Sequence, residues 1–170
     1  TSPHLVKINE RFRINFKECS DEELILAWCQ VKSFMEKGEK QGLQPLTFFE
    51  ILFLMGMILF SQKEIDYCIL ETGLGGRLDA TVLSDPVLSI ITSISYDHME
   101  ILGDTIEKIA AEKAGIIKNG IPVVAVDEEN GAFPVIERTA KEKKSPVYGL
   151  KSQDLTILRL IFLSIAVIIR

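Results

Sequence analysis

Residues 71–81 read Glu-Thr-Gly-Leu-Gly-Gly-Arg-Leu-Asp-Ala-Thr, a carboxylate and a glycine-rich turn that directly follow an apolar run over residues 65–70. Two later segments carry a histidine and a lysine near apolar stretches: residues 95–103 and residues 111–118. Open α/β sheets bind their ligands beyond the carboxyl ends of the strands. Since a carboxylate, an imidazole and an amine can together hold hard cations and phosphate oxygens, the three segments predict a metal–phosphate site.

Apolar runs and helical patterns alternate through the second half of the chain. We expect strands over residues 65–70, 87–94 and 121–126, and helices over residues 105–117 and 133–143. Strands that alternate with helices indicate a parallel sheet with helices packed on it. The sequence therefore predicts an α/β fold with a mostly parallel sheet and helices on both faces.

The first third of the chain carries two helix-start signals. Ser20 with Glu23, and Thr47 with Glu50, each have the spacing of a capping box, and an apolar helical pattern follows both. The helix predicted over residues 48–61 is apolar on almost every side. A run this short indicates a buried helix and not a membrane span.

Composition excludes several classes of partner. The 170 residues carry a net charge of −5 without a dense block of Lys or Arg, so we expect no nucleic-acid partner. We expect no membrane partner either. Three cysteines, at positions 19, 29 and 68, have neither metal-ligand spacing nor the count of a disulfide framework. This is typical of reduced thiols in a cytoplasmic protein.

The three segments resemble the central domain of the folylpolyglutamate synthase and dihydrofolate synthase family, within the Mur ligase superfamily. Similar family patterns occur at residues 1–5 (Thr-Ser-Pro-His-Leu), 9–11 (Asn-Glu-Arg) and 47–50 (Thr-Phe-Phe-Glu). The resemblance runs from Thr1 to about Tyr148. It implies a Mur-ligase-like central domain over residues 1–150, here incomplete.

The resemblance also implies an activity. It is an ATP-dependent ligase that adds L-glutamate to a carboxylate of folate or dihydropteroate through an acyl phosphate. The implied cofactors are ATP and two Mg²⁺ ions, with Mn²⁺ as an alternative because one expected ligand is an imidazole. The implied protein is a cytoplasmic monomer. A muramoyl-type amino-acid ligase and a non-catalytic remnant of such an enzyme stay open as alternatives.

The family pattern assigns roles to individual side chains. The metal ligands are expected to be Ser2, Glu71, His98 and Lys113, and the last two are also the expected catalytic residues. Nucleotide contacts are expected from Gly73, Gly75, Gly76 and Arg77. Substrate contacts are expected from Thr47, Phe49, Arg77 and Asp79.

Several of these residues have a plainer interpretation as well. Lys113 is either a solvated helix residue or a desolvated amine, and the resemblance implies that CO₂ converts it to a carbamate that binds the second metal. Arg77 either clamps a carboxylate or phosphate, or pairs with Asp79 and orders the loop. For Thr47 we expect helix capping to be the main role.

The chain also departs from the family pattern. Val82 stands where the family usually has Asn, and the 170 residues contain neither the Gly-Lys-Gly-Ser phosphate loop nor the glutamate-binding domain. We therefore expect a fragment that is inactive alone. Residues 151–170 form an atypical tail with an apolar run over residues 160–169, which is either a genuine strand or a misassembled end; exposed, it would promote aggregation.

Overall fold

A computed structural model describes residues 3–151 and 165–169. The chain divides into two units, Thr1–Asp66 and Tyr67–Arg170. Ser2, expected to bind metal, lies outside the described residues, and so do residues 152–164 of the atypical tail.

The first unit joins a small hairpin to two helices. A 3-10 helix, Ile8–Arg11, precedes the antiparallel strands β1 (Arg13–Ile14) and β2 (Lys17–Glu18). Helix α1 spans Asp21–Lys40 and helix α2 spans Phe48–Ser61. The two helices and the hairpin bury one shared apolar cluster, which consists of Phe12, Cys19, Ala27, Val31, Leu52, Met55 and Leu59.

Both predicted capping boxes are confirmed. Ser20 Oγ accepts a hydrogen bond from the backbone N–H of Glu23 at 3.2 Å, and the Glu23 carboxylate accepts one from the Ser20 N–H at 2.9 Å. Thr47 and Glu50 make the equivalent reciprocal pair. These bonds satisfy N–H groups that a helix start otherwise leaves unpaired, so each helix begins where its local sequence dictates. Within the described residues, no helix is long and apolar enough to cross a membrane.

The second unit is a five-stranded sheet with helices. Its strands are β3 (Cys68–Glu71), β4 (Pro86–Ile91), β5 (Val123–Asp127), β6 (Val147–Lys151) and β7 (Ile165–Ile169). Its helices are α3 (Met99–Leu102), α4 (Ile106–Ala114) and α5 (Ala132–Glu142), with a 3-10 helix at Ala80–Leu83.

The strand order is β3-β7-β4-β5-β6. Strands β4, β5 and β6 pair in parallel, whereas β7 is antiparallel to both of its neighbours, β3 and β4. It follows that β3 runs in the same direction as β4, β5 and β6. The α/β class is confirmed, and the sheet is mixed because one central strand is reversed.

One face of this sheet forms the core of the second unit. Ser89 pairs with Val123 and Ile91 with Ala125, and all four residues are fully buried. Gly149, in register with Ala125, lies against the ring of Phe133, so helix α5 covers this face. The packing fixes the carboxyl ends of the four codirectional strands along a single edge.

The described part of the apolar tail is strand β7. Ala166 and Val167 are 0% and 2% exposed, and β7 forms ladders with strands on both sides. This part of the tail therefore forms a strand inside the sheet, on which Ala166 and Val167 are buried and Ile168 and Ile169 are partly buried.

Candidate functional site

The loop after β3, residues 72–79, which we call the glycine loop, is closed around the carboxylate of Asp79. The backbone N–H groups of Gly73 and Leu74 donate to Asp79 Oδ2 at 2.7 and 3.1 Å. Thr81 donates its N–H and its hydroxyl to Asp79 Oδ1 at 3.0 and 2.7 Å. Asp79 is only 6% exposed. Asp79 thus orders the loop, and the Gly73 N–H is engaged inside the protein.

Glycines let this loop approach neighbouring backbone closely. Gly75 has φ +67°, and a methyl group there would lie 2.9 Å from a side-chain carbon of Leu102 on α3. A methyl group on Gly76 would lie 2.7 Å from the carbonyl oxygen of Lys113, and one on Gly115 would lie 2.3 Å from Arg77 Cα. At Gly76 and Gly115 backbone atoms leave no room for any side chain, and at Gly75 the positive φ disfavours one. These glycines dock the loop onto α3 and α4. The phosphate contact predicted for Gly73, Gly75 and Gly76 stays a prediction.

Arg77 binds Glu112 on helix α4 and not Asp79. Its Nε donates to both carboxylate oxygens of Glu112, at 3.1 and 3.2 Å, and its Nη2 donates to Oε1 at 3.0 Å. The Arg77 backbone N–H also donates to the Glu112 carbonyl at 2.9 Å. The alternative in which Arg77 pairs with Asp79 is therefore wrong. Arg77 still orders the loop, and it does so by binding Glu112.

Lys113 lies in the last turn of α4 and is partly buried. Burial lowers the pKa of its amine from the usual value, and the negative charge of Asp97 partly opposes that shift. A lowered pKa increases the neutral, nucleophilic fraction of the amine at a given pH. Lys113 is therefore not a simple solvated helix lysine.

His98 has a left-handed backbone, with φ 46° and ψ 41°, directly before helix α3. Its side chain is 57% exposed, and its Nε2 lies 3.6 Å from Oδ1 of Asp97. A side chain on a left-handed backbone costs free energy, and such residues concentrate at functional sites. The conformation fits a residue that has to present its imidazole beyond the end of β4.

Glu71 is the last residue of β3 and is in register with Ala166 of β7. Its side chain is partly buried, and its Oε2 atom is shielded from solvent. Because β3 and β4 run in the same direction, Glu71 lies at the sheet edge from which the His98 segment emerges. The strand directions thus place the Glu71 carboxylate and the start of the segment that leads to His98 along one edge.

Contacts on the described residues bring the three predicted segments together. Gly75 approaches Leu102, and Gly76 lies against the Lys113 carbonyl. Asp97, next to His98, acts electrostatically on Lys113. Across residues 3–151 and 165–169, no group of three or more His, Cys, Asp or Glu side chains is arranged to hold a metal ion. The segments converge, but their side chains form no ready-made metal cage.

The two predicted substrate residues Thr47 and Phe49 belong to the first unit. Thr47 caps helix α2, as expected for its main role, and Phe49 is partly buried within the first turn of that helix.

Sequence reasoning missed two contributors to this edge. Glu112 was not singled out, although it anchors Arg77. The loop after β5 also joins the edge, since Asn130 Nδ2 donates to the Ile94 carbonyl at 2.8 Å and the Ile94 N–H donates to Glu128 at 3.3 Å. The available signal was the polar run Asp-Glu-Glu-Asn directly after the third apolar strand.

Comparison with known proteins identifies the class of this chain. The family model of the Mur ligase middle domain matches residues 27–162, so the chain belongs to the Mur ligase middle-domain family. Within that class, its relatives include folate enzymes. It is 42% identical over 151 residues to the dihydrofolate synthase/folylpolyglutamate synthase of Bacillus subtilis. This alignment covers 88% of this chain and 35% of the relative. It is also 42% identical over 145 residues to a folylpolyglutamate synthase of Arabidopsis thaliana, and this alignment covers 84% of this chain and 25% of the relative.

Solved structures agree with these relatives. A folylpolyglutamate synthase in complex with AMPPCP and folate superposes with a TM-score of 0.82 at 34% identity, over 88% of this chain and 37% of that one. The Escherichia coli enzyme FolC with DHPP and ADP gives a TM-score of 0.78 at 36% identity, over 88% of this chain and 34% of that one. The chain spans 25–37% of the length of these relatives.

Proposed function

We propose that this chain forms part of an ATP-dependent ligase that adds L-glutamate to a carboxylate of folate or dihydropteroate. The observation that carries the proposal is the convergence of the glycine loop, the His98 segment and Lys113 beyond the carboxyl ends of codirectional strands. Relatives that superpose on this chain bind AMPPCP with folate, or ADP with DHPP. ATP is accordingly the proposed nucleotide, and the proposed protein is a cytoplasmic monomer with no nucleic-acid or membrane partner.

The residues at this edge fit Mg²⁺ better than a metal that needs a cage of side chains. Mg²⁺ usually binds one or two protein carboxylates and completes its shell with phosphate oxygens and water. Glu71 offers a carboxylate with one shielded oxygen, and His98 and Lys113 approach the same edge. We assign these three residues to two Mg²⁺ ions, with Mn²⁺ also suited to the imidazole. Bound there, the ions would offset the negative charge of the phosphates.

Lys113 can serve as an oxygen ligand only after modification. Burial lowers the pKa of its amine, which favours the neutral form that reacts with CO₂. The nitrogen lone pair forms a bond to the carbon of CO₂, one C=O π pair moves to oxygen, and a proton leaves the nitrogen. The product is a carbamate anion in place of a cation. The proposed ligand at position 113 is this carbamate.

The remaining side chains hold the site in shape. Asp79 closes the glycine loop, and Arg77 attaches that loop to α4. Both remain proposed substrate contacts, and Gly73, Gly75, Gly76 and Arg77 remain the proposed nucleotide contacts. Thr47 and Phe49 remain the proposed contacts for the pterin ring. In the proposed reaction ATP phosphorylates the substrate carboxylate, and the amine of glutamate displaces phosphate from the acyl phosphate. The protein contributes mainly by positioning the reactants and stabilising charge.

A chimera tests the proposed function. Residues 1–151 of this chain would replace the matching stretch of the Bacillus subtilis relative, and glutamate-dependent ADP formation would be assayed with dihydropteroate and with tetrahydrofolate. We expect turnover with at least one substrate. We expect Lys113→Ala to remove most of kcat because it deletes a ligand needed in the transition state. A folded chimera without turnover, shown by a cooperative melt, would overturn the proposal.

A matched control uses another helical lysine. Lys141→Ala changes an exposed residue near the end of α5, and such substitutions usually alter stability by about 0.5 kcal/mol or less. The control chimera should therefore keep near-normal kinetics. Near-normal kinetics in Lys113→Ala as well would remove Lys113 from the proposed site.

A further inference from the structure

The glycine loop and helix α4 are joined by contacts that lie between two of the proposed ligands. Glu71 directly precedes this loop, and Lys113 directly follows Glu112. Arg77 is bound to Glu112 by three side-chain hydrogen bonds and one backbone hydrogen bond. The Arg77–Glu112 pair is thus the connection between the chain segment that follows Glu71 and the turn that carries Lys113.

The geometry of this connection favours precise placement over global stability. The side chain of Arg77 is 56% exposed and that of Glu112 is 28% exposed, and ion pairs of this kind contribute about 0–1 kcal/mol. A guanidinium that engages both oxygens of one carboxylate nevertheless fixes direction as well as distance. Close backbone approach at Gly76 and Gly115 leaves the loop no room to slide along the helix.

We propose that Arg77 and Glu112 are positioning residues, which hold the turn that carries Lys113 against the glycine loop and thereby fix where the Lys113 side chain begins. The inference rests on the proposed function only for the use that the enzyme makes of Lys113. The placement itself is a property of the chain without nucleotide, metal or substrate. Neither residue needs to touch a ligand in this role.

Chemical labelling of lysines tests the placement directly. The 170-residue chain would be acetylated briefly with acetic anhydride, and Lys113 modification would be quantified by peptide mass spectrometry relative to the exposed Lys141. Losing an ion pair worth up to about 1 kcal/mol raises the undocked population up to about fivefold. We therefore expect Arg77→Gln and Glu112→Gln each to speed Lys113 labelling about two- to fivefold.

Using both substitutions separates position from charge. Removing the cation of Arg77 raises the pKa of a nearby amine and slows its labelling, whereas removing the anion of Glu112 does the opposite. Faster labelling in both variants therefore reports loss of docking. The exchanged pair, Arg77→Glu with Glu112→Arg, should restore the wild-type rate. Opposite changes in the two single variants, or no change in either, would overturn the proposal.

Two further variants control for effects of losing any ion pair near α4 and for misfolding of Arg77→Gln. Asp104→Asn removes the ion pair between Lys108 and Asp104 at the start of the α4 region, away from Lys113, and should leave Lys113 labelling unchanged. Arg77→Lys keeps the charge but loses the two-pronged geometry, and should give intermediate labelling even if Arg77→Gln fails to fold. Because no turnover is measured, faster labelling alongside an inactive chimera supports the placement while removing the ligase assignment.

Discussion

Strain at single residues is concentrated at the tip of the hairpin between β1 and β2. Asn15 and Phe16 form its two-residue turn, and both have positive φ, 49° and 65°. Such turns favour Asn followed by Gly, because a bulky residue in the left-handed region is strained. Phe16 is 99% exposed, so packing does not offset the strain.

Phe16→Gly should therefore stabilise the protein. Relief of left-handed strain gains about 1–2 kcal/mol, and the extra freedom of glycine in the unfolded chain returns about 0.5–1 kcal/mol. We expect a net gain of about 0.5–1 kcal/mol in the free energy of unfolding, measured by urea denaturation. Phe16→Ala removes the same exposed ring but keeps the strain, and should be nearly neutral. Equal effects of Gly and Ala would show that the backbone is not strained.

Glu10 makes the stability of the first unit depend on pH. Its carboxylate accepts backbone hydrogen bonds from Leu5, Val6 and Lys7 at 2.7–2.9 Å, and these hold its pKa at about 2 in place of the usual 4.5. Between those values the unfolded chain binds more protons than the folded one. The stabilising contribution is therefore complete above about pH 4.5 and is lost as the pH falls towards 2.

Glu10→Gln should accordingly lower the melting temperature at pH 7. The difference from wild type should shrink as the pH falls and vanish near pH 2. Glu64→Gln, at an exposed loop carboxylate of the same unit, is the control and should cause little change at any pH. A constant difference between Glu10→Gln and wild type from pH 7 to pH 2 would contradict the assignment.

At the scale of the elements, the packing of the glycine loop against helix α4 requires residues without a side chain at the contact. A methyl group on Gly115 would lie 2.3 Å from both Cα and Cβ of Arg77, where backbone blocks any retreat. Gly115→Ala should therefore destabilise by about 1–3 kcal/mol or more in urea denaturation. Gly38→Ala is the contrast, because a methyl group there comes no closer than 3.4 Å to Leu43 within α1. It should be neutral or stabilise by up to about 1 kcal/mol. Similar effects of the two substitutions would refute the close approach.

Helix starts were predictable because capping is local. Ser20 and Thr47 each bond a residue three positions away, so the sequence contains both partners side by side. Helix α4 likewise begins at a local cap, since the Thr105 hydroxyl accepts a hydrogen bond from the Lys108 N–H. The hairpin of β1 and β2 was missed because its strands have two residues each and Phe16 is not a turn residue.

The candidate site was predictable only as far as strand direction determines it. Glu71 and the His98 segment lie at one edge because codirectional strands end together. The partner of Arg77 lies 35 residues along the chain, and no local pattern links the two. The glycine pattern was ambiguous for the same reason, since close approach to a helix and close approach to a phosphate both require a missing Cβ.

On the scale of the whole molecule, β7 is the element that completes the sheet. It lies between β3 and β4, and without it both strands would have unpaired edges inside the sheet. The match to the Mur ligase middle domain ends at residue 162, before β7 begins. A reversed strand from outside the matched stretch thus separates the two strands whose ends carry Glu71 and the His98 segment. Sequence could not predict this, because strand pairing over such distances depends on which edges remain open.

The sheet should therefore fail when β7 cannot be buried. Val167 is 2% exposed and in register with Leu70 on one side and Ser89 on the other. Val167→Asp would bury a carboxylate without a partner, which the folded sheet cannot tolerate. Hydrogen exchange should show loss of protection at the amides of β3 and β4. Ile168→Thr, at the half-exposed neighbour on the opposite face, keeps a β-branched side chain and should preserve most of that protection. Full protection of β3 and β4 in Val167→Asp would mean that the two strands do not depend on β7, and that the spacing between Glu71 and the His98 segment is set by other elements.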